Sequence, residues 1–166
     1  IATGQTSFDD GEAIPYQIRV KIPADIGAMA TFAMGDVADT RLQRVGGLTV
    51  KLDRHDATGM YHVTQSSAHA FRLAFDPLQL TGHAGQTLIV TYTMRIKAGT
   101  TPDQPLVNQA TVYPGGHDPQ TDNAVVVTGG KVFEKVDARA EDRLLQGATF
   151  VVRDAAGRYL VQGAHG

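Results

Sequence analysis

Apolar and polar residues alternate with a period of two along most of this chain. Between positions 13 and 22, Ile14, Tyr16, Ile18, Val20 and Ile22 share one face, and Gln17, Arg19 and Lys21 share the other. That is the pattern of a strand with one face buried and one in water. Pro23 ends it, because proline has no N–H to give to a ladder. Comparable runs occupy positions 29–34, 48–52, 60–65, 70–75, 87–96, 106–113 and 123–128. Turn residues separate them: Asp9-Asp10-Gly11, Gly46-Gly47, Ala57-Thr58-Gly59, the stretch 82–85, and Pro114-Gly115-Gly116. No window of about 12 residues carries a helical stripe. The pattern predicts an all-β chain, a β-sandwich with Greek-key-like connections.

A second unit is predicted to begin at Gly129-Gly130, giving a domain over 1–128 and a remainder over 129–166. Positions 149–153 read as a strand, Asp154-Ala155-Ala156-Gly157 as a hairpin turn and 158–161 as the return strand. Two or three strands cannot bury a core alone, so the remainder is expected to be an incomplete domain. The total of 166 residues fits one domain plus such a piece. The N-terminus, Ile1-Ala2-Thr3-Gly4, lacks Met and a charged-then-apolar signal, and reads as processed or excised.

Composition removes several function classes. With 15 basic against 17 acidic residues and no basic run, an electrostatic nucleic-acid binder is excluded. No apolar stretch has the length of a membrane span. The absence of Cys removes disulfides, thiolate nucleophiles and Cys-ligated metals. His55, His62, His69, His83, His117 and His165 are scattered without metal-ligand spacing. The acidic loops near Asp9 and Asp118 fit no EF-hand pattern, so no metal and no cofactor is expected. No nucleophile elbow, P-loop or kinase set is present, and a turnover enzyme is not expected.

Four segments, taken in order, carry a family resemblance. They are Tyr16-x-Ile18-x-Val20-x-Ile22-Pro23; Phe32-x-Met34-x-Asp36 with Leu42 after it; Leu78-x-Leu80-x-Gly82 leading into Leu88-x-Val90-x-Tyr92; and Asn108-x-Ala110-x-Val112-Tyr113. Together they resemble the isopeptide-forming fimbrial domain of Gram-positive, sortase-assembled backbone pilins, over roughly positions 10–128. The tail, with Lys135-Val136-Asp137, Leu145-x-Gly147-Ala148-x-Phe150 and Asp154-x-x-Gly157, resembles the opening of a collagen-adhesin B-type domain. The resemblance implies an immunoglobulin-like sandwich of the collagen-adhesin A type. It also implies a structural shaft module of a surface fimbria, cell-wall-anchored outside the cell and joined by sortase to neighbouring subunits. A surface adhesin module binding a host glycan or matrix protein is the alternative.

Such domains form an amide cross-link once, from a first-strand Lys to a last-strand Asn, assisted by a buried acid. Burial disfavours charge on both reacting partners, giving a neutral amine beside a protonated carboxyl. The resemblance places the acid at Asp36, at the end of its strand, and the acceptor at Asn108, with Asn123 as runner-up. Asp39 reads as a turn residue. No Lys precedes Gly11, where the family has its nucleophile, and Lys21, Lys51 and Lys97 alternate to polar faces. Either the amine lies upstream of Ile1 or this copy lacks the bond. Lys135 matches the cross-linking Lys of the B-type module, with its partners expected beyond Gly166. Lys131 reads as a linker charge. Tyr113-Pro114 is followed by Gly115, not by the polymerising Lys, and no sorting signal is present, so polymerisation through this chain alone is not expected.

Overall fold

A computed structural model describes residues 6–128, together with the backbone of 136–137 and 140–144. Two compact units divide the chain, Ile1–Lys131 and Val132–Gly166. In the first, period-two alternation becomes two packed sheets. Ten strands contribute: β1 (Ser7–Phe8), β2 (Ala13–Lys21), β3 (Phe32–Ala38), β4 (Leu42–Leu52), β5 (His55–Asp56), β6 (Tyr61–Ser66), β7 (Ala70–Phe75), β8 (Thr87–Ile96), β9 (Pro105–Pro114) and β10 (Gln120–Thr128). One sheet has the order β1-β10-β9-β3-β7-β6 and the other β2-β8-β4-β5. All pairs are antiparallel except β1 with β10. The all-β sandwich expected from the sequence is what the chain adopts.

The core forms where the alternating faces meet. Leu88, Val90, Tyr92, Met94 and Ile96 of β8 are buried, and so are Ile14 and Tyr16 of β2 and Phe32 and Met34 of β3. Central β3 is buried on its outer face too at Ala33 and Gly35, while Val37 further along that face is exposed. Ala33 and Gly35 are small, and the Arg72 guanidinium lies nearby over the Tyr113 ring at 4.0 Å. At the β9–β10 turn, a Cβ on Gly115 would stand 2.7 Å from the Thr31 carbonyl oxygen, so only glycine allows that approach.

Three expectations shift. The run at 29–34 becomes a 3-10 turn over Ile26–Ala28 followed by a strand that starts only at Phe32. That strand runs on to Ala38, so Asp36 lies within it and not at its end. Gly46-Gly47 is an irregularity inside β4, where the register with β8 shifts between Val45 and Thr49. A glycine pair serves a bulge as readily as a turn, because Gly46 takes a positive φ of 73°. Leu78 and Leu80 belong to a four-residue helix, α1 (Pro77–Leu80), capped by the Asp76 carboxylate, which accepts from the Leu78 N–H.

In the second unit, β11 (Val136–Asp137) pairs antiparallel with β12 (Ala140–Leu144). Gly129-Gly130, Lys135 and the hairpin expected at 149–161 lie outside the described residues.

Candidate functional site

Three polar side chains meet inside an otherwise apolar core. Asp36 is inward on β3 because Phe32, Met34, Asp36 and Ala38 share its core face. On β9 the partner of Asp36 is Ala110 and the partner of Ala38 is Asn108. Asn108 is therefore a diagonal neighbour of Asp36 on the same face of the same sheet. The opposing sheet supplies Tyr92 from β8. Asp36, Asn108 and Tyr92 are each 97% or more buried.

The three form a closed triangle of hydrogen bonds. The Tyr92 hydroxyl donates to Asp36 Oδ2 at 2.7 Å. Asn108 Nδ2 donates to the same oxygen at 3.0 Å and to the Tyr92 hydroxyl oxygen at 2.8 Å. The triangle joins the two sheets through polar contacts. Tyr16, directly opposite Tyr92 in the β2–β8 register, stacks on it with ring centroids 5.5 Å apart. Phe71 meets Tyr92 in a T-shaped contact with ring centroids 5.0 Å apart. Two buried polar atoms find no partner among the described residues at this site: the Tyr16 hydroxyl and Asn108 Oδ1. A cleft of about 160 Å³, lined by Tyr16, Asp36, Tyr92 and Asn108 among others, runs in from the surface beside them.

Burial dominates the electrostatics. It pushes the Asp36 carboxyl up to about 6, against the downward pull of the Tyr92 and Asn108 hydrogen bonds. The Tyr16 and Tyr92 hydroxyls are pushed well above their ordinary value, first by burial and then by the Asp36 charge. The site thus holds a carboxyl poised near neutrality against an amide nitrogen.

The other sequence candidates do not join the triangle. Asn123 lines the cleft but is exposed on β10, and its Oδ1 accepts from Gln109 Nε2 at 3.2 Å. Asp39 lies in the β3–β4 turn and grips Arg41, which holds its carboxyl down to about 2. Lys21, Lys51 and Lys97 are exposed, and none lines the cleft. Lys135 lies outside the described residues. Tyr92 is the member that sequence reasoning missed. The signal was present: alternation turns Tyr92 inward, and a buried tyrosine hydroxyl needs a partner. Among the described residues, no group of three His, Asp or Glu side chains could hold a metal ion. No described helix is long and apolar enough to cross a membrane.

No family model matches this chain, and no curated protein matches it. Solved structures share its fold. The Bacillus cereus major pilin subunit BcpA aligns over 95% of this chain and 47% of its own, with a TM-score of 0.63 and 19% identity. The N-terminal domain of the Streptococcus gordonii adhesin Sgo0707 aligns over 72% of this chain and 29% of its own, with a TM-score of 0.60 and 16% identity. The Streptococcus pneumoniae pilus backbone RrgB aligns over 66% of this chain and 26% of its own, with a TM-score of 0.58 and 24% identity. This chain therefore spans less than half the length of each.

Proposed function

We propose that this chain is part of a shaft subunit of a Gram-positive surface fimbria, displayed outside the cell. On this reading 1–128 is an isopeptide-forming domain and 129–166 the start of a B-type domain. One observation carries it: Asp36 and Asn108 lie side by side in the core of a sandwich whose fold major pilins share. Sortase joins such subunits to their neighbours, and the cell wall anchors them. Modules joined end to end must resist shear, and an inter-strand amide resists it better than a hydrogen-bonded ladder.

The chemistry follows from the triangle. A neutral Lys amine entering the cleft attacks Asn108 Cγ, and the new C–N bond forms as the C–Nδ2 bond breaks. Asn108 Nδ2 is the leaving group, already 3.0 Å from Asp36 Oδ2. A protonated Asp36 delivers its proton there, ammonia departs, and the amine's proton returns to the carboxylate. Tyr92 holds both partners in place. The event happens once per molecule, so the protein is not a turnover enzyme. Asn108 is the acceptor in this scheme and Asp36 the acid. Asn123 has no part in it.

Intact mass tests the site in a chain carrying its natural upstream sequence. A mass lighter by one ammonia, restored in Asp36→Ala and in Asn108→Ala, is the expected result. An unchanged mass in a chain that does carry an upstream Lys on the first strand would overturn the isopeptide reading. Immunogold labelling of producing cells tests the shaft role, with label repeating along each filament as the expected result. Label confined to filament tips or to the bare cell surface would favour the adhesin reading, since an adhesin domain shares this fold.

A further inference from the structure

The outward face of the four-stranded sheet carries a concentration of positive charge, of which Arg19 also lines the cleft beside the buried triangle. The registers β2–β8 and β4–β8 set Arg19, Ile89 and Lys51 in one row across the sheet. Lys21 follows Arg19 on the same face of β2, and the β4–β5 turn adds Arg54. Arg19, Arg54 and Ile89 line an open groove of about 630 Å³. Asp53, within that turn, has a left-handed backbone with φ 52°. The pairing of Leu52 with His55 closes the turn around Asp53 and Arg54.

None of these cations is in an ion pair with a described residue. Among the described residues the ion pairs are Arg41–Asp39 and His117–Asp25, neither of them in the groove. Asp53 lines the groove and Asp56 faces Lys51 across the β4–β5 pair, so two carboxylates stand among the four cations and leave a local excess of positive charge. Asp53 Oδ1 accepts from the Thr87 N–H at 2.9 Å, and Asp56 Oδ1 accepts from the Thr58 hydroxyl at 2.7 Å. The chain carries a net charge of -2, so the positive field here is local and owes nothing to the whole.

We infer that this groove binds a sulfated polysaccharide. Arginine forks, here Arg19 and Arg54, match the oxygens of a sulfate group, and Lys21 and Lys51 add cations at intervals that suit a repeating polymer. Arg19 and Lys51 stand two strands apart, about 10 Å, and Arg19 and Lys21 about 7 Å apart along β2. The next row along the sheet, Gln17, Thr91 and Thr49, presents neutral hydrogen-bonding groups suited to sugar hydroxyls. No Phe, Tyr or Trp lines the groove, and the His55 imidazole alone falls short of the run of stacking rings that single-stranded nucleic acid uses. An open groove suits a polymer passing across it, whereas small ligands are held in enclosed pockets.

The test is chromatography of the whole chain on immobilised heparin at physiological salt, with a salt gradient for elution. Wild type should be retained. Arg19→Gln combined with Arg54→Gln should elute markedly earlier, with binding about tenfold weaker, because two cations leave the contact. Arg95→Gln combined with Lys97→Gln makes the same net charge change elsewhere on exposed positions and should elute like wild type. Matching melting temperatures for the three proteins show that the fold is intact. Flow-through of wild type, or equal shifts in both double variants, overturns the inference. So does equal or tighter binding to chemically desulfated heparin or to a glycerol-phosphate polymer.

Discussion

Acidification from pH 7 to pH 5 should stabilise the sandwich, and Asp36→Asn should abolish that response. Unfolded, the Asp36 carboxyl titrates at its ordinary 3.8; folded, burial holds it at about 6. Between those values the native state binds more protons than the unfolded state, so stability falls as pH rises through this window. The contribution is complete below 3.8 and lost above 6. The two-unit shift corresponds to about 3 kcal/mol, the cost of keeping an ionised carboxylate in the core at pH 7. Asparagine keeps the volume, and its oxygen can accept from both Tyr92 and Asn108. The variant should therefore be at least as stable as wild type at pH 7 and flat between pH 4 and 7. Asp39, held down to about 2 by Arg41, works in the opposite sense, but only below its ordinary value. Thermal melts across the range decide the matter. A wild-type melting temperature that stays level or drops from pH 7 to 5, with Asp36→Asn tracking it, would remove the carboxyl from the account.

Tyr92→Phe should destabilise the domain by about 1–3 kcal/mol at pH 7, because a buried carboxylate loses a charged hydrogen bond. In a domain of this size that lowers the melting temperature by several degrees. Two further readouts separate this from simple loss of packing. The Tyr92 hydrogen bond is the first of the two contacts that lower the Asp36 value, so its removal should move the carboxyl titration upward from about 6. The loss should also shrink at pH 5, where a protonated carboxyl needs fewer donors. Tyr16→Phe is the contrast, since the Tyr16 hydroxyl has no partner among the described residues and its removal should be neutral or stabilising. Carboxyl-detected NMR titration of Asp36 in the three proteins checks the shift. An unmoved titration in Tyr92→Phe would mean that Tyr92 only fills space.

Much of this architecture was legible along the chain. Period-two alternation in β2 and β8 settles which side chains face inward, because each face meets a different solvent whatever the partner strand. Inward placement of Asn108 follows from the same rule, applied to Asn108, Ala110 and Val112. The role of Gly46-Gly47 was not legible, since turn and bulge ask the same conformational freedom of glycine and differ only in what lies across the strand. Nor was the true extent of β3. Asp36 reads locally as a strand-end residue, and only β7 and β9 pairing on both sides carries the strand past it to Ala38.

Sequence alone therefore determined the class of fold, the inward faces and two of the three polar residues at the centre. Tertiary structure decided that Tyr92 joins them, because it approaches from the other sheet across 56 positions of chain. It also decided the state of Asp36. A carboxyl's affinity for its proton depends on the water it has lost, and that loss is set by the packing of both sheets. The basic groove belongs to the same category. Arg19, Lys51 and Arg54 are unremarkable surface charges in the chain, and they become a single field only when β2, β8 and β4 lie side by side.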